Sequence, residues 1–219
     1  MSALPIDDVS RRYGRRWALV RLSVTVEPGQ AWMILGPNGS GKSTLLKVLS
    51  TALRAHKGSI RLGGSDLWEN RAALRRRIAV LGHQAHVYDD LSAAENLDVW
   101  GRLGGYTPDI PALLERVGLD PERRDPVRTF SAGMRRRIAL ARMLLKSPEV
   151  VLLDEPFTAL DPAGRELLIN VCRSLRDEGA TLLMATHLPT VARRICDHTL
   201  MLEAGATVYC GPSDEAPLP

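Results

Sequence analysis

One glycine-rich segment constrains this chain more than any other feature. It consists of Gly36, Pro37, Asn38, Gly39, Ser40, Gly41, Lys42, Ser43 and Thr44. The segment matches the pattern G-x-x-x-x-G-K-[ST] at every required position. An apolar run at 31–35 precedes it and a helical pattern at 45–52 follows it. This strand–loop–helix context separates a phosphate-binding loop from a chance match, so the chain is predicted to bind a nucleoside triphosphate.

The residue types in this loop suit the chemistry of a triphosphate. Glycines allow backbone N–H groups to turn towards phosphate oxygens. The start of the following helix adds a partial positive charge. Lys42 is predicted to bridge the β- and γ-phosphates, where it also serves catalysis, and the Ser43 hydroxyl is predicted to ligate Mg²⁺.

Composition places the chain among ordinary globular proteins. Its 219 residues are 45% hydrophobic and 25% charged, which suits one domain or a domain with a subdomain. No apolar run approaches the roughly 18–20 residues that a membrane-spanning helix requires. The first residues lack the basic and apolar regions of a signal peptide. The chain is therefore predicted to stay in the cytosol or to dock on a membrane from that side.

Charge and cysteine usage exclude several classes of partner. The net charge of +4 is mild and dispersed, which argues against nucleic acid as a partner. Arginine runs at 75–77 and 135–137 are interpreted as solvated helix faces, with a surface for acidic lipid headgroups as the alternative. The scattered Cys172, Cys196 and Cys210 argue against a disulfide framework or a zinc site, and are expected to be reduced and buried.

Hydrophobic periodicity predicts an α/β fold with a largely parallel sheet. Strands are predicted at 19–26, 31–35, 59–62, 78–81, 150–153 and 181–185, with a hairpin at 199–202 and 207–210. Helices are predicted at 45–52, 132–146 and 162–177, with two or three short ones between 92 and 118. The proline-rich, acidic stretch 212–219 is predicted to be a disordered tail.

A second motif places two acids at the end of a buried strand. The apolar run 150–153 leads directly into Asp154 and Glu155. In phosphate-loop enzymes an acid at this position holds Mg²⁺, and Asp154 fits that role. Glu155 is placed to polarise a water for in-line attack on the γ-phosphate. Adjacent acids alone would favour a solvated turn, but the phosphate loop upstream favours the catalytic interpretation.

Further segments fall into a recognisable order. Gln84 follows the strand at 78–81, and residues 130–137 precede the helical pattern at 138–142. Residues 158–161 follow the two acids, and His187 ends a later strand. Together these resemble the ATP-binding subunit of an ABC transporter, from Tyr13 to about Gly211. The resemblance implies a phosphate-loop NTPase core of the RecA type in a single domain at 1–211. It also implies an N-terminal antiparallel β part and a helical subdomain inserted at about 85–147.

The resemblance assigns roles around one nucleotide. Tyr13 resembles the aromatic residue that stacks on adenine; a core tyrosine is the alternative, and Trp17 is a weaker candidate for stacking. Gln84 resembles the glutamine that reaches Mg²⁺ and links the nucleotide to the membrane subunit. His187 resembles the switch histidine that contacts the γ-phosphate.

The resemblance also implies a dimer. Ser131 is a good N-cap for the helix that follows, and a capped helix start among small residues binds anions. In this family, Ser131 and Gly133 close over the ATP held by a partner subunit, and Asp161 lies at the dimer contact while also capping a helix. A head-to-tail dimer with two ATPs at its interface follows. Ala132 and Met134 depart from the usual L-S-G-G-Q, and methionine cannot hydrogen-bond as glutamine does.

Several motifs are similar in detail to those of the ATPase that belongs to the haem exporter of cytochrome c maturation. The histidine before Gln84 and the Ser131-Ala132-Gly133 segment carry most of this similarity. It implies small multi-pass membrane subunits as partners and a peripheral place on the cytoplasmic face of the cell membrane. The partner ATPase is expected to be identical or similar. The alternatives are the ATPase of a drug, lipid or polysaccharide exporter, and a non-transport member that supports iron–sulfur cluster assembly.

Overall fold

The computed structural model describes residues 2–82, 85–158 and 160–217. The strands in this part of the chain are β1 (Leu4–Tyr13), β2 (Arg16–Val26), β3 (Ala31–Leu35), β4 (Lys57–Leu62), β5 (Ser65–Asp66), β6 (Ile78–Leu81), β7 (Val150–Asp154), β8 (Thr181–Ala185), β9 (His198–Glu203) and β10 (Ala206–Pro212). The α-helices are α1 (Lys42–Leu49), α2 (Arg71–Arg77), α3 (Ala93–Gly104), α4 (Ile110–Arg116), α5 (Ala132–Leu144), α6 (Pro162–Asp177) and α7 (Pro189–Ala192). A short 3-10 helix lies at Val127–Thr129.

The strands form two sheets. The central sheet has the order β10-β9-β3-β8-β7-β6. Its strands pair in parallel except β10, which forms an antiparallel hairpin with β9. The N-terminal sheet has the order β2-β1-β4-β5 and is antiparallel. The α/β class with a mostly parallel sheet and an N-terminal antiparallel part is therefore confirmed.

Two apolar cores cover the two faces of the central sheet, and alternate residues of each strand enter different cores. Met33 of β3 and Leu153 of β7 belong to the core that α3, α4, α5 and α6 cover. Ile34 and Leu152 belong to the core shared with α1 and the N-terminal sheet. Burial on both faces explains why β3, β7 and β8 are continuous apolar runs in the sequence. The loop after β3 is consequently fixed between two packed layers.

The helical segment predicted as an inserted subdomain begins with a well-capped helix. Ser92 Oγ accepts a hydrogen bond from the Glu95 backbone N–H at 3.2 Å, and Glu95 Oε2 accepts one from the Ser92 N–H at 2.8 Å. This capping box satisfies two N–H groups at the start of α3. The Asn96 amide, fully buried, donates to the Tyr88 carbonyl at 3.0 Å and fixes the loop that leads into the helix.

Strand β1 is not predicted from the sequence, because its pairing with β2 is irregular. The register with β2 shifts between Ile6 and Val9 and again beyond Val9, and Asp8 has a positive φ of 48°. Such bulges break the period-2 alternation by which a strand is recognised. Arginine-rich α2 and the single-turn α7 were missed as well, since neither is long enough to show a clear helical period.

Two expectations about the C-terminal region are wrong. Cys172 and Cys196 are buried, but Cys210 is exposed because it lies on β10 at the edge of the sheet. Residues 212–217, predicted as part of a disordered tail, are held in place. The Ser213 N–H donates to the Asp197 carbonyl at 2.8 Å, and Arg193 Nη2 donates to the Ser213 carbonyl at 2.6 Å.

A bidentate ion pair joins the end of α2 to the start of β7. Arg77 Nε and Nη2 donate to the two carboxylate oxygens of Glu149, each at 2.6 Å. Hydrogen bonding from Arg77 lowers the pKa of Glu149 below its ordinary value. A carboxyl group with a lowered pKa stabilises the fold above its ordinary pKa, and that contribution is lost as pH falls through the lowered value.

We expect Glu149→Gln to lower the free energy of unfolding by about 1–2 kcal/mol at neutral pH, because a charge-assisted bidentate contact is lost. Urea unfolding at a series of pH values measures this difference between wild type and variant. The difference should shrink as pH falls below 4.5, the ordinary value for this carboxyl group. A constant difference down to low pH would assign the effect to packing instead of charge.

Candidate functional site

The loop after β3 is a tight backbone turn that only glycine can make at two positions. Gly36 has φ 137° and Gly41 has φ 113°, in the region that L side chains rarely adopt. A Cβ at Gly36 would lie 2.1 Å from the Leu202 carbonyl oxygen, and one at Gly41 would lie 2.4 Å from the Ala18 carbonyl oxygen. The loop backbone is therefore pressed against β9 and β2.

The loop and the start of α1 offer donors that suit a phosphate chain. Helix α1 has no side-chain cap at its N-terminus, so its first N–H groups remain available. Lys42 Nζ donates to the Gly36 carbonyl at 2.7 Å and to the Pro37 carbonyl at 3.1 Å. Among the described residues, the buried Ser40 Oγ has no hydrogen-bond partner. A cation, an orphaned hydroxyl and a helix start converge here, and this donor set fits a triphosphate.

The two sequence motifs meet at one hydrogen bond. The Ser43 hydroxyl, in the first turn of α1, donates to Asp154 Oδ1 at the end of β7 over 3.1 Å. A hydroxyl and a carboxylate are hard oxygen ligands of the kind that Mg²⁺ prefers, so these residues fit that ion. Gln84, the third predicted ligand, lies outside the described residues, and so does the neighbouring His83.

Glu155 follows Asp154 in an uncommon backbone conformation. Its φ is 48°, and its N–H donates to the Ala185 carbonyl of β8 at 2.9 Å. The side chain reaches the second residue after β8, where Glu155 Oε2 lies 2.7 Å from His187 Nδ1 and accepts from the His187 N–H at 3.3 Å. A positive φ at a non-glycine residue is uncommon and has an energetic cost. The structure thus brings Glu155 and His187 together.

The segment around Ser131 forms a second, separate surface. Ser131 Oγ accepts from the Met134 N–H at 3.2 Å and caps α5, while Asp161 Oδ1 accepts from the Gly164 N–H at 2.7 Å and caps α6. A cavity of about 630 Å³ is lined by Gly118, Leu119, Asp120, Arg123, Ser131, Ala132, Gly133, Met134, Arg137, Leu160 and Asp161. The structure therefore places the predicted dimer residues Ser131, Gly133 and Asp161 around one opening.

Tyr13 ends β1 at the tip of the hairpin with β2. The residue is 48% exposed, which excludes the alternative of a core tyrosine. The Arg11 guanidinium lies 5.4 Å from the centroid of the Tyr13 ring. Trp17 is also exposed, but it packs against Arg12 and edge-on against His56.

Arg136 is a residue that the sequence interpretation placed wrongly. The run 135–137 was interpreted as a solvated face, yet Arg136 is only 7% exposed. Its guanidinium donates to the carbonyl oxygens of Gly82 and Glu155, the latter at 3.1 Å, and burial lowers its pKa. The helical spacing contains the signal, since Arg136 lies on the same face of α5 as the buried Ala139, Leu140 and Met143.

Comparison with known proteins agrees with this arrangement. Residues 19–158 match the family described as ABC transporter. This chain belongs to the ABC transporter family. It is an ATP-binding subunit of that family, and its domain is an ATPase.

Relatives and solved structures cover nearly the whole chain. It is 40% identical over 219 residues to the daunorubicin resistance ATP-binding protein DrrA3 of Streptomyces coeruleorubidus, covering 98% of this chain and 69% of that protein. It is 35% identical over 217 residues to the Nod factor export ATP-binding protein I of Ralstonia nicotianae, covering 97% of this chain and 68% of that protein. A solved ATP-binding subunit of an ABC transporter superposes with a TM-score of 0.88 at 28% identity, covering 97% and 90% of the two chains.

A second solved structure supports the fold alone, because its identity is low. It is a dimeric ATP-binding cassette in a post-hydrolysis state with ADP and Pi, with a TM-score of 0.85 at 23% identity, covering 96% of this chain and 98% of that one. The two relatives carry names of drug resistance and Nod factor export, and neither name mentions haem. Within residues 2–82, 85–158 and 160–217 of this ABC ATPase, no helix combines the length and apolar character needed to cross a membrane.

We expect Arg136→Met to destabilise the ABC ATPase by about 2–4 kcal/mol, because buried carbonyl groups lose a charged donor. Urea unfolding measures the loss. Arg137→Met is the matched control on the next position of α5. Its partly exposed side chain donates to the Gly118 carbonyl at 3.0 Å, and loss of that bond should cost no more than about 1 kcal/mol. Equal stability of both variants would show that the buried guanidinium contributes nothing.

Proposed function

We propose that this ABC ATPase hydrolyses MgATP between two copies of the chain and thereby powers export by separate membrane subunits. One observation carries the hydrolytic part of the proposal: Ser43 is bonded to Asp154, and the next residue, Glu155, presents its carboxylate beside His187. A phosphate-binding loop, a pair that would hold Mg²⁺ and a general base thus lie at the carboxyl ends of β3, β8 and β7, three neighbouring strands of the central sheet.

The proposed chemical step is attack by water on the γ-phosphorus. Glu155 accepts a hydrogen bond from the water and takes its proton as the new O–P bond forms. The bond between the γ-phosphorus and the β–γ bridging oxygen breaks, which releases ADP and inorganic phosphate. His187 holds the Glu155 carboxylate through Nδ1 and orients it towards the loop.

Lys42 and the glycine loop hold the phosphate chain during this step. Lys42 places its charge at the β- and γ-phosphates, in exchange for the two carbonyl contacts that it makes within the loop. Ser43 and Asp154 would hold Mg²⁺, which when bound neutralises charge on the phosphate oxygens. Tyr13, exposed at the tip of the hairpin, stacks on the adenine.

The second half of each site comes from a partner copy. Ser131 and Gly133 lie at an exposed helix start, where N–H groups bind anions, and Asp161 lies beside them. Neither surface alone surrounds a nucleotide, so two chains arranged head to tail complete two sites. ATP then stabilises the dimer, and hydrolysis allows it to open.

The transported molecule is chosen by membrane subunits, and we infer that this chain associates with them from the cytoplasmic side. The names of the relatives, drug resistance and Nod factor export, support an exporter of organic molecules. The narrower prediction of haem as cargo has no support from these names. A non-transport role in iron–sulfur cluster assembly has none either.

The proposal is tested by purifying the protein in mild detergent from its own membranes and identifying what accompanies it. Multi-pass membrane proteins in stoichiometric amount, with ATP hydrolysis by the complex, are the expected result. Soluble partners alone would contradict the exporter. A haem absorbance band in the purified complex would restore haem as the cargo.

A further inference from the structure

A second cation lies beside the phosphate loop, on a strand that the motifs do not include. Arg16 is the first residue of β2 and pairs directly with Tyr13 of β1. Directly opposed residues of an antiparallel pair project from the same face. The ring of Tyr13 and the guanidinium of Arg16 therefore share one side of the hairpin tip.

The position of β2 brings Arg16 against the loop. A Cβ at Gly39 would meet Arg16 Nη2 at 3.5 Å and no other atom within 4 Å. Two residues further along, the Ala18 carbonyl oxygen lies 2.4 Å from where a Cβ at Gly41 would be. The backbone of β2 is thus packed on the loop, and the Arg16 side chain extends over the part of it that contains Gly39.

The charge of Arg16 has no acidic partner in the described part of the chain. No ion pair includes it, whereas Arg21 on the same strand is paired with Asp8 at 3.0 Å. Two other cations of the hairpin have other contacts: Arg11 donates to the Arg54 carbonyl at 2.9 Å and covers the Tyr13 ring, and Arg12 lies over Trp17. Arg16 is exposed and free to take an anion that lies on the loop.

We propose that Arg16 binds the phosphate chain of the nucleotide at its α-phosphate end. This inference rests on the proposed function, in which Tyr13 stacks on the base and Lys42 holds the β- and γ-phosphates. Arg16 lies between those two groups, since it is paired with Tyr13 and its Nη2 lies 3.5 Å from where a Cβ of Gly39 would be. A guanidinium there donates to the phosphate oxygens nearest the ribose, which ATP and ADP share.

Titration calorimetry of ATP and ADP with Mg²⁺ on the intact chain tests this assignment. Arg16→Ala should weaken both nucleotides by about fivefold, because a charge-assisted contact at an exposed site is removed. Arg16→Lys should recover part of the loss. Arg15→Ala is the matched control, since it removes the same charge one residue away, and its affinities should equal those of the wild type.

Three results would overturn the assignment: unchanged affinity in Arg16→Ala, an equal loss in Arg15→Ala, or a loss for ATP without a loss for ADP. The second would mean general electrostatic attraction, and the third a contact at the γ-phosphate. Failure of the proposed function itself would look different. In that case the wild type would not bind ATP, or Lys42→Ala would bind it as tightly as the wild type.

Discussion

Glu155→Gln should bind ATP normally and accumulate as an ATP-bound dimer that hydrolyses about 10²- to 10⁴-fold more slowly, because the amide cannot take the proton of the attacking water. The substitution preserves the shape of the side chain, and the Glu155 backbone bonds do not depend on the carboxylate. Size-exclusion chromatography with MgATP measures the dimer, and phosphate release measures the rate.

Glu115→Gln is the matched control for this experiment. Glu115 is exposed on α4, so the same change there should accumulate no ATP-bound dimer and should leave the wild-type rate of ATP hydrolysis. A Glu155→Gln protein that stays monomeric with ATP would contradict the dimer. A variant that keeps the full rate would remove Glu155 from the chemistry.

Lys42→Ala should weaken ATP binding by about 10- to 100-fold, since charge-assisted hydrogen bonds to the β- and γ-phosphates are lost. The variant should fold as the wild type does, because among the described residues the ammonium bonds no group other than two loop carbonyls. Calorimetric titration with ATP measures the change in affinity.

Lys47→Ala controls for charge and for the helix, because Lys47 is exposed in the last turn of the same α1. Its ATP affinity should stay within about twofold of the wild type. If Lys42→Ala bound ATP as tightly as this control, the glycine-rich segment would not be the nucleotide site.

The site residues that could be predicted from the sequence lie within a few positions of the strand or helix that carries them. Ser43 follows the glycines within one turn, and Asp154 and Glu155 end an apolar run, so each could be placed on its element. Parallel strands bring their carboxyl ends to one edge of the sheet, which is why Ser43 meets Asp154 although 111 positions separate them. The α/β class follows from the same alternation of strands and helices.

Other features depend on contacts that no local pattern contains. Arg16 approaches Gly39 only because the hairpin folds back on the loop. The exposure of Cys210 depends on β10 being an edge strand, and the order at Ser213 depends on partners at Asp197 and Thr199. Arg136 is an arginine like residues 135 and 137 on either side of it. Its burial could be inferred only from its position on the apolar face of α5.

Helix α5 links the surface around Ser131 to the strand ends that precede Gly82 and Glu155. Its first turn carries the serine-capped end that faces a partner in the proposed dimer, and Arg136, in its second turn, donates hydrogen bonds to the carbonyls of Gly82 and Glu155. Any rotation of α5 relative to the sheet must either break those bonds or drag the ends of β6 and β7 with it. In the proposed dimer, separation of the two copies would therefore displace Glu155, the proposed base, through α5 and without a change in the nucleotide loop.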